Sequence, residues 1–234
     1  MKTLARIILS TAKQSWADLT GQCLVVLDFD RTLFDTAQYY TDFLEMITRQ
    51  YGTKVAEHLR TAESTSENFN PLEYLREQGI TPETLMSQFD SFAKEQYPSG
   101  VSYLFPGAPD LIAYLGRRHR THCVIITTGT LEYQQFKLRL APELSEIPIQ
   151  IISDNKGEIL QQQFNRAGGV VLGHRWYSRL VLVDDKASAL TPLAPSRRYT
   201  LIHVVRPNVK NQSKSDRPDI VEINSLEQVR ALIA

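Results

Sequence analysis

Five short apolar runs constrain this chain more than anything else in its 234 residues. They are 23–28 (CLVVLD), 122–127 (HCVIIT), 149–152 (IQII), 180–184 (LVLVD) and 200–205 (TLIHVV). Most are continuous rather than alternating, which marks strands covered on both faces, as in a parallel sheet. Stretches with helical periodicity separate them, near 107–119, 130–140, 156–167 and 225–233. Strand and helix alternation over 122–205 implies right-handed βαβ units and an α/β core, a Rossmann-like doubly wound parallel sheet. Residues 220–223 fit a short last strand. Residues 169–179 show neither period.

The alternation breaks once. From Thr36 to about Tyr97 there is no strand-like run, and helical segments fall near 36–50, 53–63, 69–78 and 81–96. Pro71 and Pro82 sit where first helical residues would, after Asn70 and Thr81, and Gly52 and Gly79 fit helix ends. The expected organisation is a core of residues 1–35 and 98–234, interrupted by a helical insert over 36–97. Tyr39, Tyr40, Phe43, Tyr51, Phe69, Tyr74, Phe89, Phe92 and Tyr97 make the insert aromatic, as packing against the core requires.

Composition removes several classes of function. Twenty-six basic residues balance twenty-six acidic ones, so there is no positive field for nucleic acid or a membrane surface. Arg117-Arg118-His119-Arg120 is too small a basic cluster to change that. No apolar run approaches the ~20 residues of a spanning helix. Residues 3–16 read as an amphipathic helix, since Arg6 and Lys13 interrupt any secretory signal. The expected location is the cytoplasm. P-loop, GxSxG and GxGxxG motifs do not occur, so the usual signatures of triphosphate, serine-esterase and dinucleotide chemistry are lacking.

Chemistry-bearing residues collect at the ends of the runs. Asp28-Phe29-Asp30-Arg31-Thr32-Leu33 follows the first, and two acids two positions apart can point the same way. Two close carboxylates repel unless a cation or a shared proton offsets them, and a hard divalent cation such as Mg²⁺ fits oxygen ligands. Thr127-Thr128-Gly129 ends the second run. A hydroxyl followed by a glycine turn into a helix can hold a phosphate oxygen with backbone N–H groups, or simply cap the helix. Lys156 follows the third run, and Asp184-Asp185 the fourth. In a parallel sheet these ends lie along one edge, where ligands of open α/β sheets bind.

In that order the motifs resemble those of the haloacid dehalogenase-like (HAD) hydrolases, over nearly the whole chain from about residue 22. Asp28-x-Asp30-x-Thr32-Leu33 is similar to their first motif, Thr127 to the second, Lys156 to the third and Asp184-Asp185 to the double-acid fourth. Phe105-Pro106-Gly107-Ala108-Pro109-Asp110-Leu111-Ile112 resembles the turn and helix before the second motif. Lys137 and Lys186 compete for the third, but Lys156 has the expected place after a third strand. Arg31 departs from the commoner glycine and is a candidate for substrate contact.

The resemblance implies Mg²⁺-dependent hydrolysis of a phosphomonoester, on a small phosphorylated metabolite, through an aspartyl-phosphate. Asp28 would be the nucleophile and Asp30 the general acid and base. Relatives that dehalogenate lack the second acid, which favours phosphate chemistry. Thr127 and Lys156, with Thr128 and Gly129, would hold phosphoryl oxygens. Asp28, the Asp30 carbonyl and an acid of the fourth motif would bind Mg²⁺, with Asp185 the direct ligand and Asp184 its neighbour, or the reverse. The helical insert corresponds to the family's cap of the first type, a lid that selects the leaving group. Alternatives on the same site are a phosphotransferase, a phosphomutase or a non-catalytic phosphate binder. A binder would be expected to lack Asp28 or Asp30.

Cys23 lies five residues before Asp28, and Cys123 four before Thr127. If Asp28 and Thr127 stand in register, strand alternation turns the two thiols to opposite faces. Two free, buried, unreactive cysteines are therefore expected.

Overall fold

The computed structural model describes residues 22–65, 69–163, 169–206 and 215–233. The expected N-terminal helix over 3–16 lies outside them, as does most of the polar segment 208–218, with its formal glycosylation acceptor Asn211-Gln212-Ser213.

The apolar runs form a six-stranded sheet of β1 (Cys23–Leu27), β2 (Thr121–Thr128), β3 (Ile149–Ile152), β6 (Arg179–Asp184), β7 (Tyr199–Val204) and β8 (Ile220–Ile223). Its order is β3-β2-β1-β6-β7-β8 and every pairing is parallel. The chain winds outward from β1 through β2 and β3, then returns to β6 on the other side of β1. That reversal places the switch point of the sheet at the carboxyl ends of β1 and β6.

The inner strands β1, β2, β6 and β7 are buried on both faces, as the continuous runs imply, while β3 and β8 at the sheet edges are partly exposed. Val25, Leu27, Ile125, Val181 and Val183 belong to one apolar cluster, and Leu24, Val26, Val124, Ile126 and Leu182 to another. The segment 169–179 forms an antiparallel hairpin outside the main sheet, β4 (Val170–Leu172) and β5 (Arg175–Tyr177). Its two-residue link begins with Gly173 at φ 63°, a left-handed conformation that glycine adopts without strain.

Between β1 and β2 come α1 (Thr36–Tyr51), α2 (Thr53–Thr65), α3 (Pro71–Glu77), α4 (Pro82–Gln96) and α5 (Ala108–Gly116). Asn70 and Thr81 cap α3 and α4 through their side chains, with proline in the first turn of each. Tyr39, Phe43 and Phe89 of α1 and α4 are fully buried, in the same cluster as Val25 and Leu27. The helical insert thus shares this cluster with the core through aromatic contacts, including Phe34 against Tyr39 at 5.6 Å. Asp42 of α1 is buried and accepts from Tyr97 (3.0 Å), Tyr103 (2.9 Å) and Gln38 (3.0 Å), tying α1 to the segment that leads back to the core.

The core continues through α6 (Leu131–Leu138), α7 (Lys156–Gln162), α8 (Ala187–Leu190) and α9 (Glu227–Leu232). No described helix is long and apolar enough to cross a membrane.

The cysteines are free, as expected, but depart from expectation in the face they occupy and in being half-buried rather than buried. Leu27 pairs with Ile125, so Thr127 stands one residue beyond Asp28 rather than beside it. The alternation argument therefore inverts. Cys123 pairs with Val25, and both thiols lie on the sheet face of Val25 and Leu27, each half-buried and free. A two-residue offset on neighbouring strands separates their Cα atoms by about 8 Å, beyond the span of a disulfide.

Candidate active site

Four strand ends bring their polar residues together at the switch point. The Asp28 N–H donates to the Val183 carbonyl at 2.9 Å, which fixes the end of β1 to β6. The following loop folds back on itself, with the N–H groups of Leu33 and Phe34 both donating to the Phe29 carbonyl. Arg31 occupies its tip at φ 60°, where glycine would be unstrained. Its guanidinium is exposed, and its charge acts on Asp185.

Lys156 is 4% exposed and ion-paired with Asp28 Oδ1, and with Asp184 Oδ2 at 2.7 Å. Its placement is local. Asn155 caps α7 by accepting from the N–H groups of Gly157 (2.9 Å) and Glu158 (3.3 Å), and donates to the Ser188 carbonyl at 3.0 Å. Gly157 presses against α8 so closely that a Cβ there would lie 2.1 Å from the Ala189 oxygen. The first turn of α7 is thereby held where Lys156 meets the end of β1. Burial disfavours its ammonium, but Asp28 and Asp184 outweigh that and raise its pKa.

Asp28, Asp184 and Asp185 are all buried, and one carboxylate oxygen of each lies within 4.8 Å of the others. Asp184 is already engaged at both oxygens, by Lys156 and by the Lys186 N–H at 2.8 Å. His203, fully buried on β7, donates from Nε2 to the Asp185 carbonyl at 3.0 Å. Burial, then the charges of its neighbours, push the Asp185 carboxyl up to about 8. Burial likewise pushes Asp28 up to about 6, against the attraction of Lys156. Asp185 therefore retains its proton at neutral pH when no cation offsets the crowded carboxyls.

Among the buried side-chain atoms of the described residues that make no hydrogen bond are Asp28 Oδ2 and Thr127 Oγ1, together with Asp184 Oδ2, which is ion-paired with Lys156. Such atoms are costly unless something pairs with them.

Asp30 sits apart from the three-acid cluster. Its Oδ1 is ion-paired with Lys137 and accepts from Thr36 Oγ1 at 2.8 Å, and its Oδ2 accepts from Gln134 Nε2 at 2.8 Å. Burial opposes its charge, but the Lys137 ammonium and the donated hydrogen bonds lower its pKa. Thr36 and Gln134 had no part in the motif reading, and Lys137 entered it only as a competitor for Lys156.

Gly129 corrects one expectation. Its N–H donates to the Ile152 carbonyl at 3.1 Å, because the turn after β2 still pairs with β3, so that donor is not directed at a ligand. Gly129 serves the site differently. A Cβ there would lie 2.8 Å from Gln134 Nε2, and its absence lets Gln134 reach both Asp30 and the Thr128 carbonyl.

Known structures repeat this arrangement of strands and helices. A protein of Burkholderia xenovorans LB400 described as a haloacid dehalogenase-like hydrolase superposes with a TM-score of 0.62 at 19% identity, over 92% of this chain and 99% of the other. The chain has the haloacid dehalogenase-like fold. The HAD-hydrolase YfnB of Bacillus subtilis, described as bound to magnesium, gives 0.52 at 16% identity, over 92% and 99% of the two chains. A protein of Thermotoga maritima described as a β-phosphoglucomutase gives 0.50 at 15%, over 90% and 97%. No protein-family model and no curated protein matches the sequence.

Proposed function

We propose that the protein is a phosphomonoester hydrolase that works through an aspartyl-phosphate on Asp28, with Mg²⁺ as cofactor and a small phosphorylated metabolite as substrate. The observation that carries this reading is the pair of unpartnered buried atoms, Asp28 Oδ2 and Thr127 Oγ1. One is a nucleophile's free oxygen and the other a hydroxyl able to donate to a phosphoryl oxygen. Asp28, Asp184 and Asp185 form an all-oxygen donor set that suits a hard divalent cation, with Asp185 as a direct ligand. Magnesium, when bound there, neutralises charge on the phosphoryl group.

The chain's own residues do the rest. Asp28 Oδ2 attacks phosphorus while the bond to the leaving oxygen breaks, and Asp30, which enters this step protonated, gives that oxygen its proton and becomes the carboxylate. Lys156 holds Asp28 Oδ1 aside and balances charge throughout. Asp30 then removes a proton from the water that attacks the aspartyl-phosphate, releasing phosphate and restoring both carboxyls. Its donors favour the carboxylate, the form this second step requires. The helical insert serves as the lid, and Arg31 at the loop tip is a substrate contact.

The test is turnover of p-nitrophenyl phosphate with Mg²⁺, followed by acid quench and peptide mass spectrometry. Wild-type protein should carry a phosphoryl group on the peptide holding Asp28, and Asp28→Asn should neither carry it nor turn over. Normal turnover by Asp28→Asn would refute the assignment.

A further inference from the structure

Lys137 and Gln134 stand three apart on α6, so they share a face, and that face turns inward onto Asp30. Both are 3% exposed. Lys137 is walled by aromatic rings, its Nζ 4.8 Å from the Tyr133 centroid and 5.7 Å from that of Phe29. We infer that Lys137 and Gln134 are positioning residues, which fix the Asp30 carboxyl in its working orientation from the helix that follows Thr127. This rests on the phosphatase reading above.

Three features carry the inference beyond an incidental ion pair. A buried lysine–carboxylate pair is seldom more stabilising than apolar residues of similar volume, so stability alone does not account for it. Next, the Asp30 carboxylate is gripped at both oxygens by three side chains from two helices, Thr36 of α1 and Gln134 and Lys137 of α6, leaving it little rotational freedom. Finally, Gln134 Nε2 bridges Asp30 Oδ2 to the Thr128 carbonyl at 2.7 Å, through the space that Gly129 leaves open. One rigid unit, β2 with α6, thus places Thr127 toward the phosphoryl group and holds the acid–base. Misplacing a reacting group by about 1 Å can cost ~10²-fold in rate.

The experiment is a kinetic double-mutant cycle on the full chain with Mg²⁺ and p-nitrophenyl phosphate. Lys137→Met should lower kcat by ~10²-fold with KM within about twofold, since Thr127 and Lys156 are untouched. In the Asp30→Asn background the same substitution should cost less than about twofold, because its target is gone. Gln134→Leu, run through the same cycle, serves if Lys137→Met does not fold, and thermal unfolding shows which variants are folded. Equal losses in both backgrounds, or a rise in KM that accounts for the loss, would overturn the positioning role. Wild-type protein that forms no phosphoenzyme and turns over no phosphomonoester would overturn the phosphatase reading and this inference with it.

Discussion

The crowded acids make the metal-free protein sensitive to pH in a particular direction. Asp28 and Asp185 both titrate above the 3.8 of a free carboxyl, at about 6 and about 8. Between pH ~4 and ~8 the folded protein therefore binds protons that the unfolded chain has lost, and stability falls as pH rises. Raising Asp28 from 3.8 to about 6 corresponds to about 3 kcal/mol at ~1.36 kcal/mol per pH unit. Asp185 adds in the same sense and extends the window to about pH 8. At ~2–4 °C per kcal/mol for a chain of this size, Asp28 alone lowers Tm by roughly 6–12 °C across the window.

The assay is differential scanning fluorimetry of chelator-treated protein from pH 5 to 8.5, with and without Mg²⁺. Metal binds the ionised carboxylates, so the Mg²⁺ shift should grow with pH, reaching about 2.7 kcal/mol at one hundred times Kd. Asp185→Asn removes one of the opposed charges. It should melt higher than metal-free wild type at pH 8 and respond little to Mg²⁺. His122 acts in the opposite sense, since burial, then the charge of Arg175, lowers its pKa, and stability rises with pH up to about the 6.5 of a free imidazole. The difference between wild type and Asp185→Asn cancels that contribution. A difference that is flat with pH, or a variant less stable than wild type at pH 8, would refute the reasoning.

Lys156→Met leaves Asp28 and Asp184 buried without their cation and should cost ~3–5 kcal/mol in urea unfolding at pH 8; a neutral result would mean the pair does not hold the sheet edge together. Gly157→Ala forces its Cβ against the Ala189 oxygen, 2.1 Å away, and should cost ~1–3 kcal/mol, with reduced phosphatase activity as Lys156 shifts. Tyr103→Phe removes one donor from buried Asp42, and thermal unfolding should register a loss of ~1–3 kcal/mol. Titration of the unfolded, unreduced chain should find two thiols; in the native protein both should react slowly, burial having pushed the Cys123 thiol up to about 12.

What the sequence disclosed followed from local rules, and what it concealed did not. Strands buried on both faces must be apolar throughout, so β1, β2, β6 and β7 were visible as runs, and their order brought Asp28, Thr127, Lys156, Asp184 and Asp185 to one edge. The hairpin 170–177 was obscured because its strands are three residues each, too short for a period to show. The partners of Asp30 were hidden for another reason. Lys137 lies 107 residues away, on a helix whose burial runs against its composition. Leu131 is 55% exposed, while Gln134 and Lys137 are buried. An apolar-face reading of α6 finds buried Phe136 but misses Gln134 and Lys137, whose inward turn is explained by the Asp30 carboxylate and, for Gln134, the Thr128 carbonyl. His203 was concealed in the same way, since nothing near it in the chain indicates that it faces the Asp185 carbonyl from the next strand.

A count of charge at the site ties these features together. Asp28, Asp30, Asp184 and Asp185 contribute four negative charges when ionised, and buried Lys137 and Lys156 return two. The lysines are not interchangeable: Lys156 joins Asp28 to Asp184, and Lys137 belongs to Asp30. The remaining excess lies with Asp28, Asp184 and Asp185, the same acids whose oxygens come within 4.8 Å of one another. Burial, and after it the charge of the neighbouring acids, make Asp28 and Asp185 titrate high, while Asp30, with its own lysine, titrates low. On the proposed reading a divalent cation replaces the protons of Asp28 and Asp185. Asp28 is then ionised, which a nucleophile must be, and a phosphate dianion approaches a site that no longer repels it. The separate lysine keeps Asp30 outside this exchange, so its role as base does not depend on whether the metal is bound.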